Sequence, residues 1–267
     1  MQRPVTGFRY LDEGPPDSAI AFAHRGGAEH PELIGLENTT HAFRHAVALG
    51  YRYLETDVHL AADGRLVAFH DDVLDRMTDA AGPISSAAAE VLDGARIAGE
   101  HPLPLMADLL DEFPDCRFNI DLKSPGSGPA LIELVESRNA FDRICVGAFS
   151  LERMREFRRL AAGRVATAAT PAEAIAFLQP SAQLARLVTR GEVSALQVPP
   201  RRNGLSIVTA GFVRRVHAAG AQVHVWTIDT EAEMHRLLDL GVDGIFTDRT
   251  DLLKAVLLER GQWQEAA

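Results

Sequence analysis

Glu55 and Asp57 stand two residues apart in the run YRYLETDVHL, and His70 ends the next apolar run, RLVAFH. On a strand, a period of two places both carboxylates on one face. Packed together without a cation they repel and raise each other's pKa. A hard divalent ion that takes carboxylate oxygens relieves that repulsion. Histidine adds a group that titrates near neutrality and can give or take a proton. Similar chemistry gathers at two other places. The run AIAFA is followed at once by His24-Arg25-Gly26-Gly27, and FNIDLK carries Asp121 and Lys123, again two apart. Arginine offers a planar fork that matches phosphate oxygens, and lysine a compact positive charge. These are parts that could hold a metal ion, grip an oxyanion and move protons.

A hairpin is the nearest element that could position them. Asp63-Gly64 between two alternating runs is a strong turn signal. Taken as a two-residue loop, it puts Ala62 opposite Arg65, Leu60 opposite Val67, Val58 opposite Phe69 and Asp57 opposite His70. His59 then falls opposite Ala68, on the carboxylate face and nearer the turn. Cross-strand pairs lie about 5 Å apart at Cβ. The hairpin is therefore expected to gather two carboxylates and an imidazole on one face, and a one-residue slip would turn them to the apolar side.

The rest of the chain supplies a frame for these groups. Strand-like runs fall at 19–24, 51–60, 65–70, 116–122, 143–149, 164–169, 193–199, 221–228 and 243–247, and helix-like stretches follow most of them. Four such stretches are 39–50, 151–163, 209–220 and 230–241. Gly50, Gly220 and Gly241 read as helix C-terminal caps and Thr209 and Thr230 as N-caps, the latter with Glu233 in capping-box spacing. Repeated βα units predict a parallel sheet, here an α/β fold of the closed (β/α)8 TIM-barrel type with one extra strand. Residues 1–18 read as an N-terminal extension and 19–260 as a single barrel domain. Gly82-Pro83, Pro102 and Pro104 break the rhythm over about 71–115, which reads as a small insertion after the strand ending near His70. Barrel chemistry sits at the C-terminal ends of the strands, where His24, Arg25, Asp121 and Lys123 are expected.

Composition narrows the function class. The 267 residues carry 27 Lys plus Arg against 37 Asp plus Glu, a net charge of −10, with 46% apolar residues. Size scaling gives roughly 11,000 Å² of exposed surface, enough folding for a core without disulfides. The acidic balance excludes a general nucleic-acid binder, which needs a basic face. No apolar leader and no run of about 20 apolar residues is visible, so no stable membrane insertion is expected and a cytoplasmic location is. Cys116 and Cys145 read as buried free thiols. Glu29, His30 and Glu32 read as loop residues, and His41, His45, His217 and His235 fall on predicted helices with no role assigned.

The ordered set His24-Arg25-Gly26, Glu37-Asn38-Thr39, Glu55-Thr56-Asp57-Val58 and His70-Asp71 resembles the signature of the glycerophosphodiester phosphodiesterases. Asp121-Leu122-Lys123, Val225-Trp226-Thr227 and Asp243-Gly244-Ile245-Phe246-Thr247-Asp248 resemble that family's later strand motifs, so the likeness runs from about residue 20 to about 255. The resemblance implies a barrel hydrolase that cleaves a small glycerophosphodiester to glycerol 3-phosphate and an alcohol. It implies one divalent ion, Ca²⁺ or Mg²⁺, held by Glu55, Asp57 and Asp121, with Glu37 approaching it. It implies His24 and His70 as acid and base, with Arg25 and Lys123 on the phosphate. Trp226 is expected to wall the pocket against glycerol carbons, and Phe149 has a similar position. Departures from the family pattern are Asp121, where Glu is common, Leu36 for Pro, Asp229 for Asn and Thr250 for Pro. Two other readings stay open: a related phosphodiester lyase that stops at the cyclic phosphate, and a silent barrel that binds a phosphorylated ligand. Head group, metal identity and oligomeric state stay open as well.

Overall fold

A computed structural model describes residues 2–179 and 181–263. Eight parallel strands form its sheet: β1 (Ile20–Ala23), β2 (Tyr53–Leu60), β4 (Arg117–Leu122), β5 (Ile144–Gly147), β6 (Ala166–Thr167), β7 (Ala195–Val198), β8 (Gln222–Val225) and β9 (Gly244–Thr247). The order is β6-β5-β4-β2-β1-β9-β8-β7, and β3 (Leu66–Ala68) pairs antiparallel with β2. A parallel bridge from Ala168 to Ala195 links the two ends of that order and closes the barrel. All nine strand-like runs of the sequence become strands. The four helix-like stretches become helices at Thr40–Ala48, Leu151–Ala161, Ala210–Ala218 and Glu231–Leu240.

Helix ends follow the local chemistry unevenly. Thr209 caps its helix by accepting the Phe212 N–H, and Gly241 closes its own in the left-handed region. Gly50 and Gly220 lie one residue past their C-caps, at positive φ. Thr230 makes no side-chain cap despite the spacing of Glu233. The capping box forms instead at Thr170 and Glu173, with Pro171 in the first turn.

Alternation along the strands separates two cores. Leu54, Val58, Phe118, Ile120 and Leu122 point outward and join the large cluster beneath the helices. Ile20, Phe22, Tyr53, Cys145, Ala195 and Phe246 point inward and fill the barrel. Phe22 and Phe246 stack at 4.1 Å between ring centroids. The lower mouth is shut by the N-terminal segment, whose Tyr10 and Leu11 are 1% and 0% exposed. Tyr53 donates its hydroxyl to the Tyr10 carbonyl at 2.8 Å, and Gln222 Nε2 reaches the Leu11 carbonyl at 3.2 Å. The Arg3 guanidinium donates to the carbonyls of Leu11, Glu13 and Pro15. Between β3 and the helix Met106–Glu112, Leu74, Ile84, Leu92, Ile97 and Leu103 form a small separate core with Val67 and Phe69.

The hairpin register differs by one from the sequence expectation. Val58 pairs with Ala68, His59 with Val67 and Leu60 with Leu66. The Ala61 N–H donates to Arg65 O and the Gly64 N–H to Ala61 O, so the loop is Ala62-Asp63-Gly64 and not Asp63-Gly64 alone. Asp63 stabilises this longer loop by accepting the Arg65 N–H at 3.0 Å, and Gly64 supplies the residue at φ +86°. Apolar pairs still face the outer core. Asp57 now lies opposite Phe69, whose N–H it accepts at 2.9 Å, and His70 lies one residue further along.

Candidate active site

The strand register alone lines up the first row of charged groups. Ala23 pairs with Leu54 on one side and with Thr247 on the other. The next residues, His24, Glu55 and Asp248, are therefore neighbours at the upper rim. His24 Nδ1 lies 2.8 Å from Asp248 Oδ1, and its Nε2 lies 3.8 Å from Glu55 Oε2. Along β2 and β4, Asp57 pairs with Asp121, which places these two carboxylates side by side. Lys123 Nζ sits between them, 2.8 Å from Asp57 Oδ1 and 2.7 Å from Asp121 Oδ2.

A tight turn brings in Arg25. Its φ of +50° lies in the left-handed region, which costs a non-glycine residue about 1–3 kcal/mol. Its backbone N–H is satisfied there by Glu55 Oε2 at 3.0 Å. The side chain then points inward, with Nε 3.3 Å from Asp57 Oδ2 and Nη1 3.3 Å from Glu37 Oε1. Glycine is required next in the chain. A Cβ on Gly26 would lie 2.7 Å from Ala42 Cβ, and one on Gly27 2.8 Å from Thr250 Cγ2. Asn38, also at positive φ, accepts the Thr56 hydroxyl at 2.7 Å and directs Nδ2 at Asp57 Oδ2, 3.4 Å away.

His70 enters from the loop beyond β3. Its Nδ1 lies 2.7 Å from Asp71 Oδ1. Arg76 donates to both Asp71 and Glu37, tying the His70 side of the site to the Arg25 side. His59, buried, directs Nε2 at the His70 carbonyl at 3.3 Å, so it lies behind His70 and not on an exposed face. Trp226 meets Phe149 edge-on at 6.4 Å, and Lys123 Nζ lies 5.7 Å from the Phe149 ring centre.

Burial and charge set the titrations. Burial, and then the charge of Asp57, push Glu55 up to about 7. Burial acts on Asp57 in the same sense, but Lys123 and Arg25 outweigh it and hold that carboxyl below its ordinary range. Burial raises Asp121 against the pull of Lys123. Burial opposes the imidazolium of His24, yet Glu55 and Asp248 outweigh it and hold the group at about 9. The guanidinium of Arg76 draws Asp71 well below the usual carboxylate range.

Of the residues expected at the site, His24, Arg25, Glu37, Glu55, Asp57, Asp121 and Lys123 are joined to one another by ion pairs or hydrogen bonds, whereas His70 pairs with Asp71 and Trp226 meets Phe149. The four carboxylates expected as metal ligands do not converge as a cluster, because Lys123 and Arg25 stand between them. Among the described residues, three His, Cys or carboxylate ligand atoms come within 4.8 Å of one another only at His30, Glu32 and His45. The sequence alone assigns no role to Asp248, Asp71, Arg76 or Asn38. Asp248 was open to discovery, since it ends the last strand of a barrel that must close on the first.

Two imidazoles, each held by a carboxylate, thus stand with two cations and buried acids at the rim of a parallel barrel. A sequence profile of the glycerophosphoryl diester phosphodiesterase family matches residues 24–252. The chain belongs to that family, and on that ground it is an enzyme of the phosphoric diester hydrolase class. A Mycobacterium tuberculosis protein named "Probable glycerophosphodiester phosphodiesterase 2" is 37% identical over 250 residues, covering 92% of this chain and 94% of that one. A glycerophosphodiester phosphodiesterase from Caldanaerobacter subterraneus is 27% identical, covering 88% and 96%. The crystal structure of an Oleispira antarctica phosphodiesterase, in complex with the product sn-glycerol-3-phosphate, superposes with a TM-score of 0.73 at 22% identity, covering 90% and 97%. No helix among the described residues is long and apolar enough to cross a membrane.

Proposed function

We propose that the protein hydrolyses small glycerophosphodiesters to glycerol 3-phosphate and an alcohol, with His24 and His70 as the proton-transfer pair. The observation that supports this most is the pairing of each imidazole with its own carboxylate, Asp248 for His24 and Asp71 for His70, in a site that also holds the Arg25 and Lys123 cations. A pure binder of phosphate needs the cations but not two oriented imidazoles.

Arg25 and Lys123 bind the non-bridging oxygens and favour the charge that builds on them in the transition state. One imidazole takes the proton of the substrate's own glycerol hydroxyl as its oxygen attacks phosphorus. The other gives a proton to the departing alkoxide as the phosphorus–oxygen bond breaks. The product of that step is a cyclic phosphate. Water opens it in the second step, with the two imidazoles exchanging roles. Trp226 and Phe149 offer apolar surface to the glycerol carbons.

The oxygen-only donor set and the buried pair Glu55 and Asp57 fit a hard divalent ion, Ca²⁺ or Mg²⁺. Glu55 and Asp57 would hold it, and Asp121 and Glu37 would join them by giving up contacts with Lys123, Arg25 and Arg76. When bound, the ion supplies positive charge to the phosphoryl oxygens. Two buried, unpaired thiols support a reducing compartment, the cytoplasm.

The test is steady-state hydrolysis of glycerophosphocholine and glycerophosphoethanolamine by purified protein, with and without chelator. Release of glycerol 3-phosphate that stops on chelation and returns with Ca²⁺ or Mg²⁺ is expected. Accumulation of the cyclic phosphate alone would make the protein a lyase. No turnover of any glycerophosphodiester in either metal would overturn the reading.

A further inference from the structure

We propose that His30, Glu32 and His45 form a zinc site, separate from the catalytic carboxylates, that clips the loop 27–36 to the helix Thr40–Ala48. The three side chains come from two pieces of chain and converge. Their ligand atoms lie within 4.8 Å of one another, and the two imidazole rings are 4.3 Å apart between centroids. His45 Nε2 and Glu32 Oε2 are 3.2 Å apart. Two ligands each about 2.0–2.1 Å from a tetrahedral zinc stand roughly 3.3 Å from each other.

Each histidine has a nitrogen turned toward the common point. His30 Nδ1 accepts the Glu32 N–H at 3.2 Å, which fixes that ring and leaves Nε2 unused. Glu32 Oε2 accepts the His45 Nε2–H, so binding zinc would require Nε2 to give up that proton, with His45 Nδ1, buried and without a hydrogen-bond partner, as the nitrogen left to carry one. Two imidazoles and one carboxylate suit zinc better than a hard all-oxygen cation. Glu32 is 75% exposed, which leaves a fourth position open to water.

The site shares no residue with the catalytic group. The loop it clips nevertheless leads straight into Glu37 and Asn38, so zinc here would steady the approach to the active site without entering it.

The experiment titrates the chelator-stripped full-length protein with Zn²⁺ alone, reading bound metal by equilibrium dialysis. Wild type is expected to bind one Zn²⁺ more per chain than His30→Ala or His45→Ala, with affinity at that site reduced at least tenfold in Glu32→Gln. Titration with Co²⁺ is expected to give intense tetrahedral absorption bands in wild type that vanish in His45→Ala. Hydrolysis rates at saturating Mg²⁺ are expected to stay within about twofold in the histidine variants, which also shows that they fold. Equal zinc stoichiometry and affinity in wild type and both histidine variants would overturn the proposal. Should those variants fail to fold, wild-type protein without tetrahedral cobalt bands would overturn it on its own.

Discussion

At the lower mouth of the barrel, Tyr10 and Leu11 are buried against Phe22, Tyr53 and Phe246, and the polar groups that close it are spent on backbone carbonyls. At the upper mouth, His24, Arg25, Glu55, Asp57, Asp121 and Lys123 crowd together at distances of 2.7–3.8 Å. The same strands supply both ends. Tyr53 and Glu55 are one inward step apart on β2, and Trp226 follows directly on the end of β8, two residues beyond His224. Inward positions low in the barrel are chosen for packing, and those at the top for charge. Stability and chemistry are therefore expected to respond to different halves of the same strands.

The sharpest break should come from the upper mouth. His24→Ala or His70→Ala should lower kcat/KM by about 10²–10⁴-fold, with the thermal midpoint nearly unchanged, as read by steady-state kinetics and calorimetry. The lower mouth should show the reverse. Tyr10→Ala removes a fully buried ring and should cost about 3–5 kcal/mol, a fall in Tm on the order of 10 °C, with kcat and KM retained at 25 °C.

A pH test divides the ends further. His224, buried against Phe22, is held neutral by burial with a pKa of about 3. Its folded pKa lies below the unfolded one, so the unfolded chain binds the extra proton. This contribution is complete above about pH 6.5 and is lost as pH falls toward 3. Urea unfolding at pH 6.5 and pH 5 should differ by about 2 kcal/mol from this group, and His224→Gln should remove that part of the slope. The smallest effect belongs to Arg76, which is 48% exposed and steers Asp71 and Glu37 without being placed on the substrate. Arg76→Ala should lower kcat by roughly 3–10-fold, about 1 kcal/mol, with recovery in Arg76→Lys.

The sequence carried the frame well because strand alternation and helix spacing are local signals. Each of the nine apolar runs became a strand, and the carboxylates two apart did share a face. The turn was harder. Asp-Gly serves both a two-residue loop and the end of a three-residue one, and the Asp63–Arg65 contact that selects the longer loop is not a matter of periodicity. The expected pairing of Asp57 with His70 failed for that reason, although His70 still reaches the rim through the following bend. Asp248 stands beside His24 only because the barrel closes, a contact between residues 224 apart in sequence. Arg76 lies in a segment with no periodic pattern, and His30 and His45 meet only once the loop after Gly27 has folded. Residue types were readable throughout; partners at long range were not.

The strap across the lower mouth has a consequence for the order in which the chain can fold. Leu11 finds Gln222, 211 positions further along the chain, and Ile20 pairs with Gly244. Contacts at such separation form late, because loop closure must be met before they reward it. During synthesis from the N-terminus, this strap must wait, with Tyr10 and Leu11 uncovered, until the strands that receive it have emerged.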